Sequence, residues 1–210
     1  MRKNVSDSIY EALKNEILNG DLNFGDKIVE TDYSKKLNVS RTPLREAIKK
    51  LEIEGIIERL PNGRLRVMEI NIVKVEEIFR IRIALENILF EAISLNKEGL
   101  ERLQQNLYLT KSYIQLKNWD IARELFVQYN EIFYEISNLE FTVKILKHYD
   151  FIISKLKRNS LQNPERVIRA YEEHQEIISL LKNGDLKKTK ELNTKHLENA
   201  KEFLIDYLIK

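Results

Sequence analysis

The sequence predicts a mainly α-helical protein in two parts: a small N-terminal unit of three helices closed by a β-hairpin, and a longer antiparallel helical bundle. Three observations predict it. Residues 39–51, VSRTPLREAIKKL, carry an apolar stripe and a cationic stripe at helical spacing. Residues 56–60 and 64–68 are β-prone and flank Pro61-Asn62-Gly63, a hairpin turn. From Asn71 onward long helical periods take over, and Pro and Gly shrink to Pro164, Gly99 and Gly184.

The first helix is expected over about Ser6 to Leu18, with Ile9, Leu13 and Ile17 on one face and Asn19-Gly20 as its stop. Phe24-Gly25-Asp26 reads as a turn. A short second helix covers about Asp32 to Leu37, with Thr31 as its cap and Tyr33 and Leu37 turned inward. Asn38 permits a sharp turn into the third helix, where Leu44, Ala47, Ile48 and Leu51 form the inner stripe. Arg41, Arg45 and Lys49 recur every four residues on another face. Pro43 fits the first turn, where its missing N–H costs nothing, and Ser40 or Thr42 can cap the free N–H groups. That helix ends near Gly55 and the hairpin follows, which makes residues 1–70 a winged helix-turn-helix. In residues 71–210 breaks fall near Asn96 to Gly99, Asn118, Asn138-Leu139, Asn159 to Pro164 and Asn183-Gly184-Asp185, giving about six bundle helices.

Bulk properties narrow the function. The chain has 43% hydrophobic and 32% charged residues, as expected of a folded, water-soluble protein. It has no cysteine, which excludes disulfides and thiolate metal sites. No apolar run approaches the ~20 residues needed to span a bilayer, and no signal-peptide core is visible, so no membrane partner and a cytoplasmic location are expected. Net charge is only +2, yet Lys35, Lys36, Arg41, Arg45, Lys49 and Lys50 stand against the single acid Glu46 between positions 35 and 50. A basic patch in a balanced protein is the footprint of phosphate binding. An arginine stripe alone also fits a solvated face, with Glu46 or Glu52 as ion-pair partners. The flanking turn and wing make it a helix for the DNA major groove, where guanidinium groups donate two hydrogen bonds to guanine.

The stretch ILNGDLNFGDKIVETDYSKKLNVSRTPLREAIKKLEIEGIIE, with the wing tip Asn62-Gly63-Arg64, resembles the N-terminal domain of GntR-family transcriptional regulators. It departs from relatives at Phe24, where they usually carry proline, a change expected to alter only the turn. The C-terminal part resembles the all-helical FCD effector-binding domain of the FadR subfamily. The segments that carry this likeness are EEIFRIRIALE, FVQYNEIFYEISN, YEEHQEIISLLKNGD and the late His196. Together the resemblances imply a DNA-binding domain over 1–70 and an effector-binding and dimerisation domain over 71–210. The implied DNA contacts are Thr31, Ser40, Arg41, Thr42, Arg45, Gly63 and Arg64, with Arg41 and Arg45 as base readers. Lys49 and Lys50 fall where phosphate or solvent is met.

The FCD resemblance also implies a small-molecule pocket, with a carboxylate metabolite as effector and in many relatives a divalent metal. His174 and His196 lie on apolar helical faces and fall at metal-ligating positions of such domains, where imidazole suits zinc or nickel. The family's Asp-x-x-x-His is replaced by Asn130 and Tyr134, an amide oxygen and a phenol. His174, His196 and Asn130 remain as the ligand set, and little or no tightly bound zinc or nickel is expected. His148 carries no motif and reads as a surface histidine, although an inward ring would add a donor. Arg82 falls in the apolar stripe of its helix and needs an anionic partner, either an effector carboxylate or Glu86 four residues on. Arg82, Asn130, Tyr134, His174 and His196 are thus the expected effector-binding residues.

The reading is a ligand-responsive transcriptional repressor that acts as a homodimer on a palindromic operator, with an organic acid as effector. Two alternatives stay open: a DNA-binding protein whose bundle has lost effector and metal binding, and a helical metalloprotein enzyme. Against the enzyme, no nucleophile–base pair, phosphate loop or complete metal triad is visible.

Overall fold

The computed structural model describes residues 4–157 and 163–209. The elements run α1 (Val5–Asn19), β1 (Lys27–Ile28), α2 (Glu30–Lys36), α3 (Arg41–Ile53), β2 (Ile57–Arg59) and β3 (Leu65–Val67). Then follow α4 (Ile72–Ile93), α5 (Lys97–Gln115), α6 (Trp119–Ser137), α7 (Glu140–Lys157), α8 (Pro164–Lys182) and α9 (Leu186–Ile209). They form two compact units, one of Met1–Asn71 with Phe151–Lys155, the other of Ile72–Asp150 with Leu156–Lys210.

The winged unit is built around the stripe of α3. Leu44, Ala47, Ile48 and Leu51 are buried, and they meet Ile9, Leu13 and Ile17 of α1 and Ile57, Leu65 and Val67 of the sheet. The hairpin pairs Ile57 with Val67 and Arg59 with Leu65. The sheet has a third strand that the sequence does not predict: β1 pairs antiparallel with β3, Lys27 opposite Arg66, giving the order β1-β3-β2. Two residues are too short for an alternating pattern, so periodicity does not reveal such a strand.

The start of α2 and the capping of α3 differ from expectation. α2 begins at Glu30 behind the N-cap Val29, so Thr31 lies inside the first turn and is not the cap. Glu30 and Asp32 place their charges at the positive end of that helix instead. Ser40 is the N-cap of α3, but neither its side chain nor another caps the helix. Asn38 is left-handed, φ 51°, as the sharp turn requires. Phe24 packs against the winged core, so it adds apolar contact rather than altering only the turn.

In the bundle unit α5 packs on α6 and α8, α4 on α9, and α8 on α9. Leu89, Ile93, Leu103, Leu107, Phe133 and Ile178 are among its core residues. Asparagines set the breaks: the side chains of Asn96, Asn118 and Asn163 accept hydrogen bonds from the N–H groups of Gly99, Ile121 and Glu165. Of the predicted break at Asn159 to Pro164, positions 159–162 lie outside the described residues.

Gly99 of α5 sits tightly against Ile136 of α6 and the cap residue Asn96. A methyl group there would meet Asn96 Cγ, Asn96 Nδ2 and Ile136 Cβ at 2.9 Å. Asn96 cannot swing aside freely, because its oxygen accepts from Gly99 N–H at 2.9 Å and its amide donates to the Ile136 carbonyl at 3.1 Å. Gly99→Ala is therefore expected to destabilise the protein by about 1–3 kcal/mol, read as a lower urea midpoint. An unchanged midpoint would show that the α5–α6 contact gives way without cost.

Candidate nucleic-acid interface and interior polar cluster

Ser40, Arg41, Thr42 and Arg45 are exposed around the N-terminal half of α3, and Lys49 is exposed one turn beyond Arg45. The first-turn N–H groups open onto the same side, at the helix end that favours a phosphate. Arg45 is not paired with Glu46 or Glu52. Its Nε donates to Glu30 Oε2 at 2.7 Å. Glu52 instead holds Arg59 of β2 in a bidentate pair, Nε to Oε1 at 2.9 Å and Nη2 to Oε2 at 3.1 Å. The remaining Arg59 nitrogen, Nη1, donates to the Gly63 carbonyl at 3.3 Å. Arg59 therefore braces the wing tip against the recognition helix, a role that no periodicity in the sequence signals.

The tip turns at Gly63, φ 78°, a left-handed conformation that glycine adopts without strain. Arg64 is exposed beside it, with its backbone N–H donating to Asn62 Oδ1 at 3.1 Å. Lys50 is exposed, and its ammonium pairs with Asp7 of α1 at 2.5 Å. Thr31 is exposed in the first turn of α2, and its hydroxyl donates to Asp32 Oδ1 at 3.4 Å.

Inside the bundle Arg82 is 5% exposed, and its anionic partner is Glu86. Arg82 Nε and Nη2 donate to Glu86 Oε1 at 3.1 and 2.7 Å, and Nη2 lies 3.6 Å from Asp150 Oδ1. Glu86 Oε2 accepts from Asn193 Nδ2 at 3.1 Å, and the Tyr134 hydroxyl donates to Asp150 Oδ2 at 2.6 Å. One network thus ties α4, α6, α7 and α9. Burial pulls the Arg82 pKa down, but the Glu86 and Asp150 carboxylates more than reverse this, so the guanidinium stays charged. Burial, and then the Asp150 charge, push the Tyr134 phenol well above its usual range.

The two histidines sit beside this network. The His174 ring stacks on Tyr129 at 4.5 Å and 10°, and lies 4.7 Å from the His196 ring. The Tyr129 hydroxyl is buried and has no hydrogen-bond partner among the described residues. His196 Nδ1 meets Glu173 Oε2 at 2.5 Å, while Asn199 donates to Glu173 Oε1 at 3.0 Å and Arg166 lies 3.5 Å from Oε2. Burial pushes the Glu173 carboxyl up, but these partners outweigh it and hold the pKa at about 2. Asn130 is half-buried one turn before Tyr134. His148 is also half-buried, its ring centroid 5.3 Å from that of Tyr149 in an edge-on arrangement.

The structure therefore links Arg82 with Tyr134 through Asp150, and His174 with His196 by ring contact. It adds three residues that sequence reasoning did not assign: Asp150, Glu173 and Asn193. Two of the expected donors are poor ligands for zinc or nickel. Tyr134 is a protonated phenol already donating to Asp150, and Asn130 is neutral. Among the described residues no group of three His, Cys, Asp or Glu side chains is placed to hold a metal.

A winged helix-turn-helix with an exposed cationic recognition helix, followed by an all-helical bundle, defines a DNA-binding regulator rather than an enzyme. The family described as bacterial regulatory proteins, gntR family, matches residues 5–67, and the FCD domain matches residues 77–199. The chain belongs to the gntR family of transcriptional regulators, in the branch that carries an FCD domain. It is 28% identical over 192 residues to the HTH-type transcriptional regulator YdhC of Bacillus subtilis, covering 90% of this chain and 84% of that one. It is 26% identical over 203 residues to the HTH-type transcriptional repressor RspR of Escherichia coli, covering 94% and 88%. Among solved structures, a putative GntR regulator from Rhodococcus sp. RHA1 shares the fold with a TM-score of 0.74 at 16% identity, over 96% of this chain and 97% of that one. No helix among the described residues is long and apolar enough to cross a membrane.

Proposed function

We propose that the protein is a ligand-responsive repressor that binds a palindromic operator as a homodimer in the cytoplasm. The observation that carries this reading is the exposed row Ser40, Arg41, Thr42, Arg45 and Lys49 on a helix anchored by four buried residues. Arg41 and Arg45 read bases, Lys49 and Thr31 approach phosphates, and Gly63 and Arg64 place the wing in the adjoining groove. Residues 1–70 serve DNA binding, and residues 71–210 serve effector binding and dimerisation. One winged unit supplies one half-site, and two are needed for useful specificity. The name repressor is borne by the related RspR and by a gluconate operon repressor of Bacillus licheniformis, 25% identical over 180 residues. Binding to promoter fragments at two salt concentrations tests the reading. Tight, sequence-dependent binding that weakens with salt is expected, and equal affinity for every fragment would overturn it.

The effector is proposed to be an organic acid that meets Arg82 from the Asp150 side. Glu86 holds the guanidinium at 2.7 Å, whereas Asp150 stands at 3.6 Å and is one-quarter exposed, so it is the partner a ligand carboxylate displaces. Asn130, Tyr134, His174 and His196 would complete the polar lining. A thermal-shift screen of organic acids is expected to yield a ligand that also changes operator affinity. The prior neutralisation of Arg82 favours one second reading, a regulator whose bundle no longer takes an effector. Operator binding indifferent to every stabilising acid would establish it.

The site is proposed to work without a resident metal. Protein purified and dialysed without added metal is expected to hold far less than one zinc or nickel ion per chain by elemental analysis. A stoichiometric ion would overturn this.

A further inference from the structure

We infer that Glu30 is a positioning residue for base reading: it clamps the Nε edge of Arg45 and presents the two η nitrogens to a guanine. This rests on the reading of Arg45 as a base reader. A guanidinium has two edges able to donate a pair of parallel hydrogen bonds, the Nε/Nη edge and the end-on Nη1/Nη2 edge. In Arg45 the first is taken, because Nε donates to Glu30 Oε2 at 2.7 Å. Its η nitrogens have no partner among the described residues, and the side chain is 63% exposed against 20% for Glu30. The acid is thus the sheltered anchor and the arginine the part that reaches out.

Arg59 shows the opposite arrangement within the same unit. Glu52 takes its Nε and Nη2, and the Gly63 carbonyl takes Nη1, so that guanidinium is spent on the protein itself. Arg45 keeps its end-on fork available. Glu30 also has a cost that a purely structural acid would not need to bear here. It sets a negative charge beside a surface that meets phosphates, which weakens binding to any duplex, while a solvated pair adds little to stability. Its return is a side chain whose orientation is fixed before DNA arrives, so less freedom is lost on binding.

Selection from a library of randomised duplexes, run with the wild type, Glu30→Ala, Glu30→Gln and Arg45→Ala, tests the clamp, alongside binding to one scrambled duplex. Arg45→Ala is expected to lose preference for guanine at one base pair of each half-site. Glu30→Ala is expected to lose preference at that same pair, by about fivefold or more, while binding the scrambled duplex as well as or better than the wild type. Glu30→Gln, whose amide oxygen still accepts from Nε, is expected to retain more of the preference than Glu30→Ala. Wild-type preference in Glu30→Ala, or equal loss in both Glu30 variants, overturns the clamp and leaves only a charge effect. Unchanged preference in Arg45→Ala overturns the reading of Arg45 itself, and the clamp with it.

Discussion

Replacing Arg82 by alanine is expected to destabilise the protein by about 3–5 kcal/mol. The cost comes less from the lost pair than from what remains. Glu86 is 6% exposed and would be left in the core with only the Asn193 amide as partner. Asp150 would lose its cation as well and keep the Tyr134 hydroxyl. The double change Arg82→Met with Glu86→Leu removes both buried charges and preserves much of the volume. It is expected to be far milder than Arg82→Ala, since replacing a buried pair by apolar groups is often near neutral. Chemical denaturation of both variants decides the matter. A loss under about 1 kcal/mol for Arg82→Ala would mean that water reaches Glu86 and that the site is not sealed.

The second large effect falls on DNA. Arg45→Ala is expected to weaken operator binding by about 2–6 kcal/mol, since a bidentate base contact contributes about 1–3 kcal/mol and the proposed homodimer would carry two. Arg45→Lys separates charge from geometry. It keeps the cation but loses the planar fork, so its binding to unrelated duplexes is expected to persist while discrimination falls. Lys49→Ala serves as the contrast, with a uniform loss across sequences and a shallower salt dependence. Fluorescence anisotropy on operator and scrambled duplexes reads all three. Arg45→Ala with intact affinity and preference would remove α3 from the role of reader.

The sequence made the stripes legible and hid the partners. Leu44, Ala47, Ile48 and Leu51 were identifiable because helical spacing depends only on local order, and the asparagines at 96, 118 and 138 because they act within a turn. The same arithmetic placed Arg82 on an inner face. It left open whether Glu86 or a ligand would meet it, and it had no means of finding Asp150 or Asn193, which lies 107 residues from Glu86. The pairing of Arg45 with Glu30 rather than Glu46 or Glu52 has the same origin. Those acids share its helix, whereas Glu30 arrives from another one. Substitutions at positions 130 and 134 were visible as departures, but Tyr134 donating to Asp150 needed the third dimension.

The chain of contacts from Glu52 through Arg59 to the Gly63 carbonyl joins the recognition helix to the wing tip by side chains as well as by backbone. Helix and wing then form a stiff reading head whose internal spacing is set in advance. In the proposed ligand-responsive homodimer such a head would be regulated by being placed, not by being reshaped. The variable that an effector would act on is the separation of two heads along the duplex. Operators with correct half-sites but one added base pair between them would distinguish the regulated states more sharply than operators with altered half-sites.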